Sequence, residues 1–239
     1  MRREYTKWHS PALGRDMEML VFGHAGARVL AFPTSMGRFY QWEDFSMVNA
    51  LSGQIERGDI QLFCVDSVDE ESWYARWRPP AERALRQSQY DRYLADEVLP
   101  YTKTQNANPY LITTGASFGA YHAANFAFRH PAAVDRVIGL SGLYDIAHFA
   151  DGYSDDDVYF NNPMAYIANE HEPERLAALR HQDIILATGH DDPNRPSNER
   201  LSTELWAKDI WHALRIWDGW AHDWPYWHQM IQHYIGGHD

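Results

Sequence analysis

An α/β fold, with a mostly parallel central sheet covered by helices on both faces, is what this sequence predicts, and three observations carry that expectation. Apolar runs of strand length recur along the chain, among them RVLAFPT (28–34), DIQLFCVDS (59–67) and QDIILATGH (182–190). Segments of helical spacing separate them, the order expected of parallel strands joined by crossover helices. No internal repeat, low-complexity tract or Pro/Gly/Ser linker divides the chain, so residues 1–239 are expected to form one domain.

The elements follow in order. REYTKWHS (3–10) and DMEMLVFG (16–23), joined by the turn-like SPALGR, predict an antiparallel opening. After the buried strand 28–34, WEDFSMVNALSGQIERG (42–58) has helical spacing and ends on a glycine. Strand 59–67 precedes PPAERALRQSQYDRYLADEVLPY (79–101), which opens on prolines and places Tyr90, Tyr93, Leu94 and Val98 at helical spacing. Strand PYLITTGA (109–116), helix SFGAYHAANFAFRH (117–130) and strand DRVIGLSG (135–142) come next. A loop-rich insert over 143–180, with a short helical stretch at 174–180, is expected to form a small cap. Strand 182–190, helix NERLSTELWAKDI (198–210), strand HALRIWDGW (212–220) and a terminal helix from about Pro225 complete the chain.

Composition narrows the function. Hydrophobic residues make up 45% and charged residues 23%, ordinary for a globular protein, while aromatics reach 14% with ten tryptophans. A formal net charge of −12 argues against nucleic acid or an anionic membrane as partner, since both need a basic face. The opening MRREYTKWHS carries no apolar core segment and no stretch approaches membrane-spanning length, so a soluble, cytoplasmic protein is expected. The single cysteine, Cys64, lies inside IQLFCVDS and reads as a buried core residue rather than a catalytic thiol.

Gly115-Ala116-Ser117-Phe118-Gly119 fits G-x-S-x-G between a predicted strand and a predicted helix. A nucleophile on so sharp a turn needs an unfavourable backbone conformation, and residues two positions away must be small to avoid collision. Ser117 would also sit at a helix N-terminus, where free N–H groups favour developing negative charge. The competing reading is a plain N-cap with glycines for packing.

A serine needs a base and an acid, each on a loop after a later strand. With thirteen histidines, position must discriminate. His122 and His130 fall on the helix after Ser117 and read as surface or packing residues, and His212 falls inside a strand. His222 lies in the loop WDGWAHDWPYW, where Gly219 allows freedom and Trp220, Trp224 and Trp227 can wall off water. For the acid, the loop Gly189-His190-Asp191-Asp192-Pro193 offers two carboxylates. Asp192 is preferred, because Gly-x-x-Asp lets the turn finish before the side chain points at the site; Asp191 is the alternative. The oxyanion hole would combine the N–H of Phe118 with that of Ser35, or alternatively Met36, from the loop Pro33-Thr34-Ser35-Met36-Gly37-Arg38. Each such donor is typically worth roughly 3 kcal/mol of barrier. Met36, Arg38, Tyr40, Trp220 and Trp224 are candidates for the pocket rim. Neither Asp155-Asp156-Asp157 nor the C-terminal His228, His233 and His238 has metal-ligand spacing, so no metal or cofactor is expected.

LAFPTSMGRFYQWEDF, TGASFGAYHAANFAFRHP, the insert ending in VYFNNP, ATGHDDP and GWAHDWPYW together resemble an esterase family of the α/β-hydrolase fold. That family is related to esterase D and to the bacterial mycolyltransferases. GWAHDWPYW is close to the Gly-x-His-x-Trp pattern that carries the family's catalytic histidine. The resemblance implies a triad of Ser117, Asp192 and His222, and serine-hydrolase activity on acyl esters. PTSMG replaces the His-Gly form of many lipases at the second oxyanion donor. The expected partner is a small-molecule or polymeric acyl ester, more easily small or extended than a long-chain lipid; a homo-oligomer is left open. An amidase, peptidase or acyltransferase would use the same triad, and a non-catalytic binding protein on a hydrolase scaffold is the reading from outside enzymology.

Overall fold

The computed structural model describes residues 1–237, so His238 lies outside the described residues. β1 (Arg3–Ser10) and β2 (Arg15–Phe22) form the antiparallel hairpin, and the exposed side chains of Arg3, Tyr5, Lys7 and His9 line β1. Charge on an edge strand discourages pairing with a second chain. β3 (Ala27–Phe32) leads through α1 (Gln41–Asp44), α2 (Met47–Ala50) and α3 (Ser52–Arg57) to β4 (Ile60–Val65). α4 (Pro80–Tyr93), a π-helical stretch (Leu94–Val98) and α5 (Leu99–Gln105) follow, then β5 (Leu111–Ala116), α6 (Phe118–Arg129) and β6 (Arg136–Leu140). The 143–180 region holds a 3-10 turn (Ala147–Phe149), α7 (Asp156–Phe160), α8 (Pro163–Ala168) and most of α9 (Pro173–His181). β7 (Asp183–Gly189), α10 (Arg195–Ala207), β8 (Ala213–Trp217) and α11 (Trp224–Tyr234) close the chain.

The eight strands make one sheet in the order β1-β2-β4-β3-β5-β6-β7-β8. The first two neighbouring pairs are antiparallel and every other pair is parallel, which is the α/β class expected. β3 to β7 are almost fully buried, because helices cover both faces. On one face Leu30, Phe63, Val137 and Leu186 pack with Ala120, Ala123 and Ala124 of α6 and with Leu201 and Leu205 of α10. On the other, Val29, Leu62, Ile138 and Ile185 pack with Met47 and Ile55 and with Trp227, Met230 and Ile231 of α11. Among the described residues no helix is long and apolar enough to cross a membrane.

Three elements differ from expectation. The helix predicted over 42–58 is broken into three: Ser46 takes φ +62°, a left-handed conformation no helix interior contains, and a second break falls at Leu51, with φ −98° and ψ +6°. The helix predicted over 79–101 runs on to Gln105, past Pro100. Its π stretch contains Asp96, whose carbonyl the proline cannot bond and would otherwise crowd, and the wider turn accommodates both problems. The loop-rich insert is more helical than its composition suggests. Asp155 caps α7 by accepting the Val158 N–H at 2.8 Å, and Asn162 caps α8 by accepting the Met164 N–H at 3.2 Å.

Candidate active site

Ser117 stands between the end of β5 and the start of α6, at φ +55° and ψ −118°. A non-glycine residue in that region is strained by roughly 1–3 kcal/mol, and it persists only where surroundings over-determine it. They do so here: the Ser117 N–H donates to the Leu140 carbonyl at 2.8 Å, locking the turn onto neighbouring β6. Crowding explains the flanking glycines. A Cβ on Gly115 would strike the backbone of Gly119, and one on Gly119 would lie 2.7 Å from the Phe32 carbonyl oxygen and closer still to that of Pro33. The helix start is therefore pressed against the end of β3, which brings the loop after β3 beside Ser117.

Asp192 and His222 meet across the ends of β7 and β8. His222 Nδ1 lies 2.8 Å from Asp192 Oδ1, which also accepts the Asn194 N–H at 2.8 Å. Asp191 turns outward, where its exposed carboxylate sits 2.8 Å from His190 Nδ1. The two loops interlock at Gly189, where a Cβ would lie 2.6 Å from the Gly219 carbonyl oxygen and 2.7 Å from the Ala221 Cβ. Backbone bonds from His190 N–H to Trp217 (2.7 Å) and from Asp191 N–H to Gly219 (2.9 Å) tie them further. Burial pushes the Asp192 carboxyl up, but hydrogen bonding to His222, the nearby Ser141 hydroxyl and the Asn194 N–H outweigh it and hold the group below its ordinary range. The Ser141 contribution is the weakest of these in geometry, since Asp192 Oδ2 has no hydrogen bond of normal form. With Nδ1–H given to the carboxylate, Nε2 of His222 is the nitrogen left for a serine hydroxyl.

Ser141, at the end of β6, was not among the sequence candidates. It is buried at φ +53°, and its hydroxyl accepts the Trp227 indole N–H at 3.0 Å and donates to the Ala221 carbonyl at 3.2 Å. Its carbonyl accepts from the Asn194 side chain at 2.9 Å. One residue thus joins the acid loop, the base loop and α11. Trp227 also packs edge-on to the His222 ring, centroids 5.3 Å apart.

The loop after β3 is held residue by residue. Gln41 Oε1 accepts the Thr34 N–H at 2.7 Å, and Asp69 Oδ2 accepts the Met36 N–H at 2.8 Å. Met36 is therefore committed elsewhere, and of these three consecutive amides the Ser35 N–H is the one with no acceptor among the described residues. The Tyr74 hydroxyl reaches the Ser35 hydroxyl at 2.8 Å, and the Tyr74 ring stands edge-on to Phe118, 5.2 Å between centroids. Arg38 is engaged with Asp66 (2.7 Å) and Glu18 (2.9 Å). Met36, Tyr40 and Trp220 expose their side chains, and Trp224 stacks on Phe45 at 4.5 Å. From the 143–180 region, Phe149 packs against Phe118 and Tyr74.

The three histidines set aside in the sequence have structural surroundings. His130 lies 3.1 Å from both oxygens of Asp91. His212, just ahead of β8 rather than inside it, sits 2.6 Å from the Ser202 hydroxyl. His122 is buried against Asp69 at 2.8 Å. Among the described residues no three His, Cys, Asp or Glu side chains converge as metal ligands. Two clefts lie elsewhere, about 480 Å³ by Arg129 and Tyr166 and about 630 Å³ by Tyr110 and Arg136, and neither is lined by Ser117, Asp192 or His222.

Solved structures similar to this one carry the same fold. A ferulic acid esterase superposes with a TM-score of 0.78 at 17% identity, over 98% of this chain and 96% of its own. The S-formylglutathione hydrolase FrmB of Staphylococcus aureus gives 0.71 at 14% identity, over 98% and 97%. MPT51 (FbpC1) of Mycobacterium tuberculosis gives 0.71 at 16% identity, over 99% and 97%. No curated protein sequence matches the chain. The family described as "Putative esterase" matches residues 39–235, most of the sequence and all of the loops that bear the serine, acid and histidine, and the chain belongs to it.

Proposed function

We propose that this esterase works through Ser117, His222 and Asp192 by way of an acyl-enzyme. The observation that carries the reading is the 2.8 Å contact between His222 Nδ1 and the buried Asp192 carboxylate, on the loops after β8 and β7, with the strained Ser117 turn at the end of β5 in the same sheet. His222 Nε2 takes the Ser117 proton as Oγ attacks the acyl carbonyl, while Asp192 stabilises the imidazolium. The tetrahedral oxyanion rests against the N–H groups of Phe118 and Ser35. Protonated His222 then releases the alcohol, and a water activated by the same imidazole frees the acid and regenerates Ser117.

The partner is a small or extended acyl ester approaching over the exposed Met36, Tyr40 and Trp220. Labelling with a fluorophosphonate and locating the adduct by peptide mass tests the nucleophile. A single adduct on Ser117, absent from Ser117→Ala, supports the reading, and no adduct on folded protein removes it. p-Nitrophenyl esters of graded chain length, methyl ferulate and S-formylglutathione then compare substrates, the last two chosen from the names of the structural neighbours. Matched amides and added alcohol acceptors report any amidase or acyl-transfer activity.

A further inference from the structure

We propose that Asp69, held by His122, is a positioning residue for this esterase: it aims the Ser35 N–H at the oxyanion by holding the next amide away from it. The inference rests on the triad reading above and adds to it a residue that does not touch the substrate.

The Ser35 N–H lies in the first of two consecutive peptide planes, and the second steadies the first. In the plane between Thr34 and Ser35, the Thr34 carbonyl accepts the Gly37 N–H at 2.9 Å. A trans peptide sets N–H opposite C=O, so the Ser35 N–H is directed away from that turn. In the plane between Ser35 and Met36, the Met36 N–H donates to Asp69 Oδ2 at 2.8 Å. Holding both planes fixes the conformation of Ser35 itself. Met36 pays for this geometry with φ +60°, where an L side chain is at a steric disadvantage, so without an acceptor the 35–36 plane is free to relax. A flip of that plane would set the Ser35 carbonyl where the Met36 N–H now points and loosen the turn that directs the Ser35 amide.

Asp69 suits the task because it cannot move. It is 1% exposed, on the loop after β4, and its carbonyl accepts the Tyr74 N–H at 3.0 Å. Its second oxygen lies 2.8 Å from His122 Nε2, itself buried one turn into α6. An ionised carboxylate only accepts, so both oxygens are matched by N–H donors when His122 carries its proton on Nε2. Nδ1 then faces the Gln87 amide nitrogen at 3.4 Å, and Phe118 packs edge-on to the imidazole at 5.0 Å. The pair thus links the two backbone segments that must converge on one oxygen, the loop carrying Ser35 and the helix opening at Phe118. The adjoining residues of the β4 loop grip the same segment: Ser67 donates to the Gly37 carbonyl at 2.7 Å, and Tyr74 reaches Ser35.

The test compares Asp69→Ala, which removes both acceptors, with Asp69→Asn, which keeps one. With p-nitrophenyl acetate, Asp69→Ala is expected to lose about 10- to 100-fold in kcat, the scale of a misplaced catalytic group, with KM within about twofold. Affinity for a boronic acid, which forms the tetrahedral adduct, should fall in parallel, and Asp69→Asn should recover most of both. By hydrogen exchange, the Met36 amide should be protected in the wild type and exposed in Asp69→Ala. Folded Asp69→Ala with wild-type kcat and boronate affinity overturns the proposal. If that variant does not fold, His122→Leu and His122→Gln decide: loss of kcat in the first with recovery in the second supports the assignment, and wild-type kcat in both overturns it. A wild-type protein that no fluorophosphonate labels would instead remove the esterase mechanism, while the Met36 exchange still reads the anchor.

Discussion

The Trp227 indole N–H ends on the Ser141 hydroxyl at 3.0 Å, inside the angle between the acid-bearing and histidine-bearing loops. Helix α11 is thereby fastened to the end of β6, with the Trp227 ring edge-on to His222.

Ser141→Ala leaves that buried N–H without an acceptor and frees the Ala221 carbonyl. The expected cost is about 1–3 kcal/mol of stability, read by urea denaturation, because an unsatisfied buried donor loses its full solvation. Activity should fall as well, through a looser His222, with KM little changed. Wild-type stability in the variant would mean that the serine only fills space.

Asp191→Asn and Asp192→Asn separate two neighbouring carboxylates. Replacing Asp192 should lower kcat by about 10³- to 10⁴-fold, since an amide cannot both orient the imidazole and stabilise its cation. Replacing Asp191, which faces solvent beside His190, should leave kcat within about twofold, as for other surface charges. Steady-state kinetics on one ester settles the comparison.

Acid stability follows from the direction of the Asp192 shift. Its carboxyl lies below the ordinary value of 3.8 in the folded protein, so folding favours the ionised form. That contribution is complete above the unfolded value and fades as pH falls through the lower folded one. The stability gap between wild type and Asp192→Asn should therefore be widest above about pH 4 and narrow below it. Denaturation curves collected between neutral and strongly acidic pH read the gap directly; a gap that widens on acidification would reverse the sign.

Gly119→Ala tests the close approach of α6 to β3. The added methyl meets two backbone carbonyls rather than a side chain that could swing aside. A loss of about 1–3 kcal/mol is expected from overpacking, together with a displaced 33–35 loop and slower fluorophosphonate labelling. Thermal unfolding and labelling rates check both.

Cys64 should resist alkylation in the folded protein. Burial drives its thiol far above the ordinary range, leaving almost no thiolate, and keeps the side chain out of contact with solvent. Iodoacetamide should modify it only after unfolding.

The fold class was legible because its signals are local. Uninterrupted apolar runs and a glycine-flanked serine at a strand–helix junction each report their own surroundings. The order serine, acid, histidine pointed to the ends of β5, β7 and β8, where the structure sets those residues. Ser46 was not legible as a helix break, since a serine at φ +62° looks like any serine in an amphipathic stretch. Asp69 was hidden among the acids of VDSVDEE, and His122 among alanines and aromatics that read as packing. Their pairing spans 53 positions, and no periodicity encodes so long a reach. Only the placement of an acid just beyond a buried strand, facing the elbow helix, could have suggested it.

Ser117 and Ser141 close neighbouring strands, and Ser141 in turn bonds to β7 through the Ala187 carbonyl at 2.7 Å. The spacing of Ser117, Ser141 and the end of β7 is thus ruled off by rungs of the sheet. The excursion from Ser141 to Gln182 sends Tyr144, Ile167 and Leu179 into the core, while its exposed stretch at 151–154 touches none of those rungs. A change of contour in that stretch would leave the strand ends that carry Ser117 and Asp192 where they are.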